Sequence, residues 1–459
     1  MLEHPRRANE MTDQFDLVVV GTGSGGSTPA RRCRAAGWRV AVIDDQPYGG
    51  TCTLRGCDPK KVLVGVAELV DWYRRMVGHG VVGAAQLDWP ALQRFKRTFT
   101  DPVPAAQEAA LQHAGIATYH GHARFVSDRR LMVGDDVLEA NHFVIATGAR
   151  PRPLGIAGEE HLRTSTDFLA LEELPARIAF VGAGYISFEF AHIVQRAGTQ
   201  AIVIGRGSPL ARFDQTMVEQ LIDHSRSVGI DVRTHAEVTR LERRDSIYYI
   251  HVATPGGADV VEADLVVHGA GRIPDTDGLG AAEAHIALDE RGAVRVNEYL
   301  QSVSNARVYA AGDAVLPAGS LPLTPVAAHE GHVVASNLLH GNAATPDYGG
   351  VPSVVFTIPP LASVGLTEAE ARRQGRRVRV ACDQTGTWYS NRRIREHAGA
   401  FKTIVEDGTD RVLGAHVFGP GADEVINLFA LAIRHDLTAT ALRHMIWAYP
   451  TRGSDVPYM

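Results

Sequence analysis

A short apolar run that leads into a glycine-rich turn constrains the fold of this chain more than any other stretch. Residues 15–20 read Phe-Asp-Leu-Val-Val-Val, which is typical of a strand buried in a parallel sheet. The turn at 21–26 has the spacing G-x-G-x-x-G. A helix over 30–37 and a second strand over 39–44 follow, and the second strand ends in an acid. The pattern predicts a strand–helix–strand unit that binds a dinucleotide.

Each glycine of such a turn has a physical task, and so has the acid that follows it. Gly21 permits the tight turn, Gly23 lets the backbone approach a pyrophosphate, and Gly26 permits close packing of the helix on the sheet. Asp44, at the end of the second strand, is placed to accept a hydrogen bond from a ribose hydroxyl. The glycines alone are weak support, but strand, helix, strand and acid all occur in order.

Two of the four cysteines lie close together soon after Asp44. Cys52 and Cys57 follow a glycine pair and precede the lysine pair Lys60–Lys61. A helical turn could bring them within disulfide range, which requires a Cα separation of ~4.4–6.8 Å. A structural cross-link over so short a loop would add little stability. The residues by themselves leave a redox pair, two buried thiols or two metal ligands open, although no further Cys or His follows in residues 58–77.

Length, charge and cysteine content exclude several classes of protein. A chain of 459 residues is expected to form about two to four domains. The net charge of −6 provides no basic footprint for nucleic acid or an anionic membrane. No run approaches the ~18 apolar residues of a membrane span, and residues 1–7 lack the apolar core of a signal peptide. Four cysteines do not make a secreted disulfide framework, so we expect a reducing, cytoplasmic location.

A second dinucleotide unit is predicted in the middle of the chain. The strand 177–181 runs into Gly182-Ala183-Gly184, with Ser187 at the position of a third glycine. The next strand, 201–204, is followed by Gly205-Arg206 and not by an acid. A carboxylate there would accept from the free 2′-hydroxyl of NADH, whereas Arg206 and Arg212 offer guanidiniums suited to the 2′-phosphate of NADPH. NADPH is therefore expected in preference to NADH.

The chain from about residue 15 to residue 450 resembles the class-I pyridine nucleotide-disulfide oxidoreductases, which include glutathione reductase, dihydrolipoamide dehydrogenase and mercuric reductase. The resemblance is carried by the order of the motifs, above all by Gly50-Thr51-Cys52-x4-Cys57-x-Pro59-Lys60-Lys61. It implies FAD at the first dinucleotide site, NAD(P)H at the second and a Cys52–Cys57 redox disulfide. It implies cofactor-binding roles for Gly21, Gly23, Gly26, Asp44, Gly50, Thr51, Lys61, Thr147, Gly148, Gly182, Gly184, Tyr185, Ile186, Arg206, Arg212, Gly271, Arg272, Asp313, Thr324 and Ala327.

The resemblance also implies a catalytic set and a domain plan. The catalytic residues would be Cys52, Cys57, Lys60, its carboxylate partner Glu189, and Tyr449. The fold class would be α/β, with two Rossmann-like dinucleotide-binding domains and a C-terminal α+β dimerisation domain. The implied boundaries are 1–155 with 275–348 for FAD, 156–274 for NAD(P)H, and 349–459 for the interface of a homodimer whose subunits share each active site.

Three positions depart from the family's pattern. Tyr449 stands where glutathione reductases have the histidine that acts as acid–base partner of the outer thiol, and Ser454 stands where they have its glutamate. With an unperturbed pKa near ~10, a tyrosine is a poor general base at pH 7. Asp58 follows the second cysteine where an apolar residue is usual, and Lys61 or Arg55 is available to neutralise it.

The sequence therefore predicts an FAD-dependent oxidoreductase that takes hydride from NADPH. Electrons would pass through Cys52 and Cys57 to a disulfide or another thiol-reactive small molecule. Two alternatives remain at this point. One is a reductase of a metal ion, of the mercuric type, or of a quinone or oxygen; the other is a non-catalytic FAD-binding redox sensor. No metal ligands are predicted, and the sequence does not identify the electron acceptor.

Overall fold

The computed structural model describes residues 12–459, so the polar segment 1–7 lies outside the described residues. The strands are β1 Thr12–Val20, β2 Val40–Asp44, β3 Ala117–His120, β4 Ala123–Ser127, β5 Arg130–Val133, β6 Asp136–Ile145, β7 Ala149–Pro151, β8 Arg177–Val181, β9 Gln200–Gly205, β10 Asp231–Thr234, β11 Glu237–Arg244, β12 Ile247–Thr254, β13 Gly257–Ala263, β14 Leu265–His268, β15 Arg272–Pro274, β16 Val308–Ala310, β17 Ser353–Val355, β18 Leu361–Gly365, β19 Val378–Gln384, β20 Ala400–Glu406 and β21 Val412–Phe418.

The helices lie mostly between the parallel strands and after the last antiparallel ones. They are α1 Ser24–Ala35, α2 Gly50–Arg55, α3 Cys57–Met76, α4 Trp89–Thr100, α5 Val103–His113, α6 Ser165–Leu169, α7 Tyr185–Arg196, α8 Gln215–Ser227, α9 Thr324–His340, α10 Glu368–Arg373, α11 Tyr389–Arg392, α12 Ala422–Arg434 and α13 Ala439–His444, with short 3-10 helices at Glu159–His161, Gly312–Ala314 and Gly453–Tyr458. Among residues 12–459, no helix is both long and apolar enough to cross a membrane.

The chain divides into two compact units, each assembled from three separate segments. The first comprises the described part of Met1–Asp58 together with Thr98–Arg150 and Arg272–Tyr348. Its sheet has the order β3-β2-β1-β6-β5-β4, with β16 also paired to β6. β1 pairs in parallel with β2 and β6, while β4, β5 and β6 form an antiparallel meander. The unit is thus a parallel sheet with one antiparallel edge.

The sequence of β1 explains why it lies at the centre of this sheet. Val18 and Val20 pack into one buried cluster, whereas Leu17 and Val19 pack into another. Successive side chains of a strand point to opposite faces of the sheet. A strand with apolar residues on both faces must therefore be covered on both faces by other parts of the protein. α1 begins at Ser24, inside the glycine-rich segment 21–26 and earlier than the predicted helix over 30–37.

The second unit comprises Pro59–Arg97, Pro151–Gly271 and Gly349–Met459. It contains a parallel sheet of order β10-β9-β8-β14, an antiparallel sheet β11-β12-β13, and a five-stranded sheet β17-β18-β21-β20-β19 whose neighbouring strands are antiparallel. The two parallel sheets, each with a strand–turn–helix–strand unit, confirm the α/β class. The domain boundaries proposed from the sequence remain predictions.

Candidate functional site

The first glycine turn forms a cradle at the carboxyl end of β1. Gly21 has φ +105°, and a methyl group there would overlap the carbonyl of Ala146, so only glycine fits this turn. Gly23 is extended and caps α1 without any side-chain hydrogen bond. The first backbone N–H groups of α1 are therefore not capped by a side chain, which is the arrangement that binds phosphate groups at helix N-termini.

Asp44, the last residue of β2, is fixed beside this cradle. Its Oδ2 accepts from the backbone N–H of Thr22 at 2.8 Å and from Thr22 Oγ1 at 2.6 Å. Its Oδ1 accepts from the Gln46 N–H at 2.9 Å. A carboxylate has about four acceptor sites, so these three bonds orient it and leave capacity for a ribose hydroxyl.

The cysteine loop packs directly on the glycine turn. Gly50, the first residue of α2, has φ +74°, and a methyl group on it would lie 2.5 Å from the Cα of Gly23. Two glycines thus let the backbone that leads to Cys52 touch the cradle. α2 ends at Arg55, and the next residue, Gly56, has φ −143° and ψ −111°, which breaks the helix before α3 starts at Cys57.

The two predicted redox cysteines are brought together with a hydroxyl. The Cys52 thiol lies within hydrogen-bonding reach of Cys57, and Thr324 Oγ1, on the first residue of α9, lies 3.6 Å from the Cys57 Sγ. The hydrogen bond with Cys57 raises the pKa of Cys52 well above its usual value, and burial raises it further, while Thr324 acts in the opposite direction. Cys52 is half-buried and Cys57 is exposed.

The negative charge of Asp58 is not paired with Lys61 or with Arg55, the two cations that the sequence placed near it. Lys61 Nζ pairs with Asp423 Oδ2 at 3.1 Å. Burial lowers the pKa of Arg55, and its charge interacts with those of Asp44 and Asp45. Asp58 is exposed on the first turn of α3, it has no ion-pair partner among residues 12–459, and its charge contributes to the raised pKa of Cys52.

Two polar side chains of the first unit, Thr147 and Asp313, are shielded from water and have no hydrogen-bond partner within residues 12–459. Thr147 Oγ1 is buried and has no hydrogen-bond partner in the described part of the chain. Burial raises the pKa of Asp313, with Arg272 opposing the shift, and within residues 12–459 its carboxylate makes no hydrogen bond or ion pair. A buried polar group without a partner is costly, so both indicate a polar ligand that completes them.

A buried carboxylate that sequence reasoning missed holds the loop before Asp313. Glu330 is fully buried and accepts from the Gly312 N–H at 2.7 Å, from Ser320 Oγ at 3.0 Å and from Tyr348 Oη at 2.7 Å. It lies on the buried face of α9, four residues after Val326 and before Val333 and Val334. An acid at such a position was the available signal.

The remaining predicted residues of the first site lie in a loop, at the start of strand β15 and in the first turns of helices. Gly148 has φ +75°, and its carbonyl accepts from the Asp275 N–H at 2.9 Å. Arg272 donates to the carbonyl of Ala149. Ala327, in the first turn of α9, would be 3.3 Å from a methyl group on Gly312. Thr51 is exposed on α2.

In the second unit, Lys60 and Glu189 form a buried ion pair. Lys60 Nζ lies 3.0 Å from Glu189 Oε1, and the two side chains are 10% and 4% exposed. Glu189 Oε1 also accepts from the Phe356 N–H at 2.8 Å. The Phe356 ring lies 4.0 Å from Lys60 Nζ and 4.1 Å from Lys61 Nζ, so two ammonium groups flank one aromatic ring. Phe356 and Asp423 are contributors that the sequence did not reveal.

The second glycine turn repeats the geometry of the first. Gly182 has φ +107°, and a methyl group on it would overlap the backbone of Ala270; Gly184 caps α7 without a side-chain hydrogen bond. Tyr185 is the first residue of α7, and 47% of it is exposed; Ile186 follows and is half-buried. Ser187, at the position of a third glycine, is buried against Gly269. Gly271 accepts from the Arg152 N–H at 3.1 Å.

The two arginines proposed for the 2′-phosphate lie just after β9. Arg206 and Arg212 are both exposed. Arg206 Nη1 lies 3.4 Å from Glu237 Oε1. Arg212 has no acidic partner within 4 Å among residues 12–459.

Tyr449 lies on an exposed C-terminal tail. It is 78% exposed, and the nearby Ile446 is 96% exposed. Ser454, at the position of the family's glutamate, donates to the carbonyl of Thr451. The hydrogen bonds of Ser454 within residues 12–459 are all with Thr451 and none is with Tyr449.

Two family models account for most of the chain. One, described as pyridine nucleotide-disulphide oxidoreductase, matches residues 15–331, and a second, described as the dimerisation domain of that family, matches 351–458. The chain is 34% identical to a glutathione reductase of Burkholderia cepacia over 96% of this chain and 97% of the relative. It is 31% identical to a dihydrolipoyl dehydrogenase of Chlamydia pneumoniae over 96% and 95% of the two chains.

A solved structure shows the same fold along nearly the whole chain. The flavoprotein disulfide reductase RclA from Escherichia coli, described as HOCl-induced, superposes with a TM-score of 0.87 at 28% identity, covering 97% of this chain and 99% of that one. The fold class predicted from the sequence, with its dinucleotide-binding region and C-terminal dimerisation domain, is confirmed by these matches.

Proposed function

Because the chain belongs to the pyridine nucleotide-disulphide oxidoreductase family, we propose that it is an NADPH-preferring FAD enzyme that reduces a disulfide or another thiol-reactive small molecule. One observation carries the proposal. Cys52, Cys57 and the Thr324 hydroxyl converge on the loop that touches the glycine cradle. Paired thiols at that place are what an enzyme needs to exchange two electrons with a small substrate.

The residues of the first unit fit FAD. The glycine turn and the uncapped start of α1 suit its pyrophosphate, Asp44 suits a ribose, and Thr147 and Asp313 are polar groups that a ligand would satisfy. When bound, FAD supplies the two-electron chemistry that connects coenzyme oxidation to reduction of the cysteine pair.

The two cysteines then act in sequence on the substrate. The Cys52 thiolate attacks one sulfur of an acceptor disulfide and forms a mixed disulfide, and the first thiol leaves with the proton that Cys52 gave up. Cys57 attacks the Cys52 sulfur, its proton goes to the second leaving thiolate, and the Cys52–Cys57 disulfide closes. The acceptor has gained two electrons and two protons, and electrons from NADPH restore the dithiol.

The coenzyme preference rests on the end of β9. Arg206 and Arg212 are exposed there and offer two guanidiniums for a 2′-phosphate. Gly182 and Gly184 form the turn that would approach the coenzyme's pyrophosphate, and Tyr185 begins the following helix.

We also propose a homodimer whose partner subunit supplies Tyr449 as a proton donor near Cys52. The dimerisation-domain match covers this tail, and Ile446 and Tyr449 expose large apolar surfaces on it. A catalytic disulfide that must be reduced in every cycle suits the cytoplasm.

Differential alkylation of the FAD-loaded enzyme tests the proposal. Oxidised protein is incubated anaerobically with NADPH, alkylated and analysed by mass spectrometry. Cys52 and Cys57 should become alkylated only after NADPH is added, and Cys52→Ser should abolish turnover with disulfide acceptors in a panel that also contains quinones and metal ions. Cys382→Ser, which changes an exposed cysteine on β19, is the matched control and should retain turnover. Full disulfide reduction by Cys52→Ser would refute the dithiol route.

A further inference from the structure

The end of β9 carries a carboxylate as well as the two arginines. Thr234, at the end of β10, is in register with Gly205, the last residue of β9. The Ala236 N–H donates to the Gly205 carbonyl at 2.9 Å. These backbone contacts place Glu237, the first residue of β11, beside Arg206, and their side chains meet at 3.4 Å while remaining 56% and 65% exposed.

Arg206 and Arg212 are therefore not equivalent cations. The charge of Arg206 is compensated by Glu237, whereas Arg212 has no acidic partner within residues 12–459. A 2′-phosphate that reaches Arg206 must approach the Glu237 carboxylate as well. Two like charges a few ångströms apart repel each other, even through solvent.

A carboxylate at this point of a dinucleotide fold also has an attractive role. It can accept a hydrogen bond from the free 2′-hydroxyl of NADH, which a guanidinium cannot do. The end of β9 thus offers one group for each form of the coenzyme. We propose that Glu237 is a specificity-determining residue that weakens NADPH binding, supports NADH binding and gives the enzyme dual coenzyme use. This inference rests on the coenzyme site proposed above.

Glu237→Gln tests the inference because it removes the charge and keeps the size of the side chain. The probes are 2′,5′-ADP and 5′-AMP, which represent the two adenosine ends, and binding to the FAD-loaded enzyme is measured by calorimetry. We expect Glu237→Gln to tighten 2′,5′-ADP binding about fivefold to tenfold, the order expected from one unit charge acting on a phosphate dianion at short range. Binding of 5′-AMP should weaken, and the ratio of kcat/KM for NADPH over NADH should rise accordingly.

Glu262→Gln is the matched control. Glu262 is also a partly exposed carboxylate paired with an arginine, at 3.2 Å from Arg177. Arg177 is at the amino end of β8, the opposite end from Gly182, so this variant should leave both affinities unchanged. If wild-type enzyme binds the probes but Glu237→Gln leaves their affinity ratio unchanged, the inference is wrong and the coenzyme site stands. If wild-type enzyme binds neither probe, the proposed coenzyme site itself is wrong.

Discussion

The Lys60–Glu189 pair allows a stability prediction to be worked out from the structure. Glu189→Gln keeps the shape of the side chain and an oxygen that accepts from the Phe356 N–H, so only the charge is lost. Lys60 would remain 10% exposed with a buried ammonium and no carboxylate at 3.0 Å. Removing one partner of a buried ion pair costs about 3–5 kcal/mol, because the other charge is left uncompensated. The Phe356 ring also stabilises the ammonium by about 0.5–2 kcal/mol, but that contact is present before and after the substitution and so does not reduce this cost.

We therefore expect Glu189→Gln to destabilise the protein by about 3–5 kcal/mol in urea unfolding followed by circular dichroism. Adding Lys60→Met to Glu189→Gln should recover about 2 kcal/mol, because the double variant buries no unpaired charge. Lys61→Met provides the control. Its pair with Asp423 is 49% and 22% exposed, so its loss should cost less than about 1 kcal/mol. A cost below about 1 kcal/mol for Glu189→Gln, with additive effects in the double variant, would refute this reasoning.

Three further predictions concern the cysteine pair, the glycine cradle and a buried histidine. Asp58→Asn removes a negative charge that raises the pKa of Cys52, so the Cys52 thiolate should form at lower pH. The pH profile of iodoacetamide labelling at Cys52 should shift to lower pH, and an unchanged profile would contradict this role of Asp58. Gly50→Ala should lower the FAD content of the purified protein, whereas Gly37→Ala, which has a similar positive φ but open space around it, should not; equal losses would show that backbone strain alone is responsible. Burial lowers the pKa of His192 well below its usual value, so on acidification the unfolded chain binds a proton at a higher pH than the folded chain does. The free energy of unfolding should therefore fall as the pH drops below about 6.5. His192→Gln should flatten that dependence in urea titrations from pH 7 to 5.

The parts of the fold that could be predicted were those written in short local patterns. The apolar run before Gly21 and the acid at Asp44 predicted a parallel strand pair, and the structure places both on β1 and β2 in direct register. The same reasoning located the second glycine turn. Helix starts were less accurate, because the turn itself continues into α1 at Ser24 and leaves no sequence signal between them.

The Lys60–Glu189 pair was implied by the family resemblance. Other pairings between distant segments could not be predicted, because they depend on which strands and helices become neighbours. Nothing in the sequence connects Lys61 with Asp423, yet that ion pair occupies a cation that was expected to neutralise Asp58. Within residues 12–459, Asp58 consequently has no ion-pair partner. Glu237 illustrates the same limit more sharply. The chain carries an arginine and no acid directly after β9. However, β10 pairs in parallel with β9, and the strand that follows β10 brings the Glu237 carboxylate to the same place. A prediction of coenzyme specificity that considers only the residue after the second strand therefore misses charged groups supplied by neighbouring strands. The charge near the coenzyme's 2′-position must be summed over all strands at that edge of the sheet.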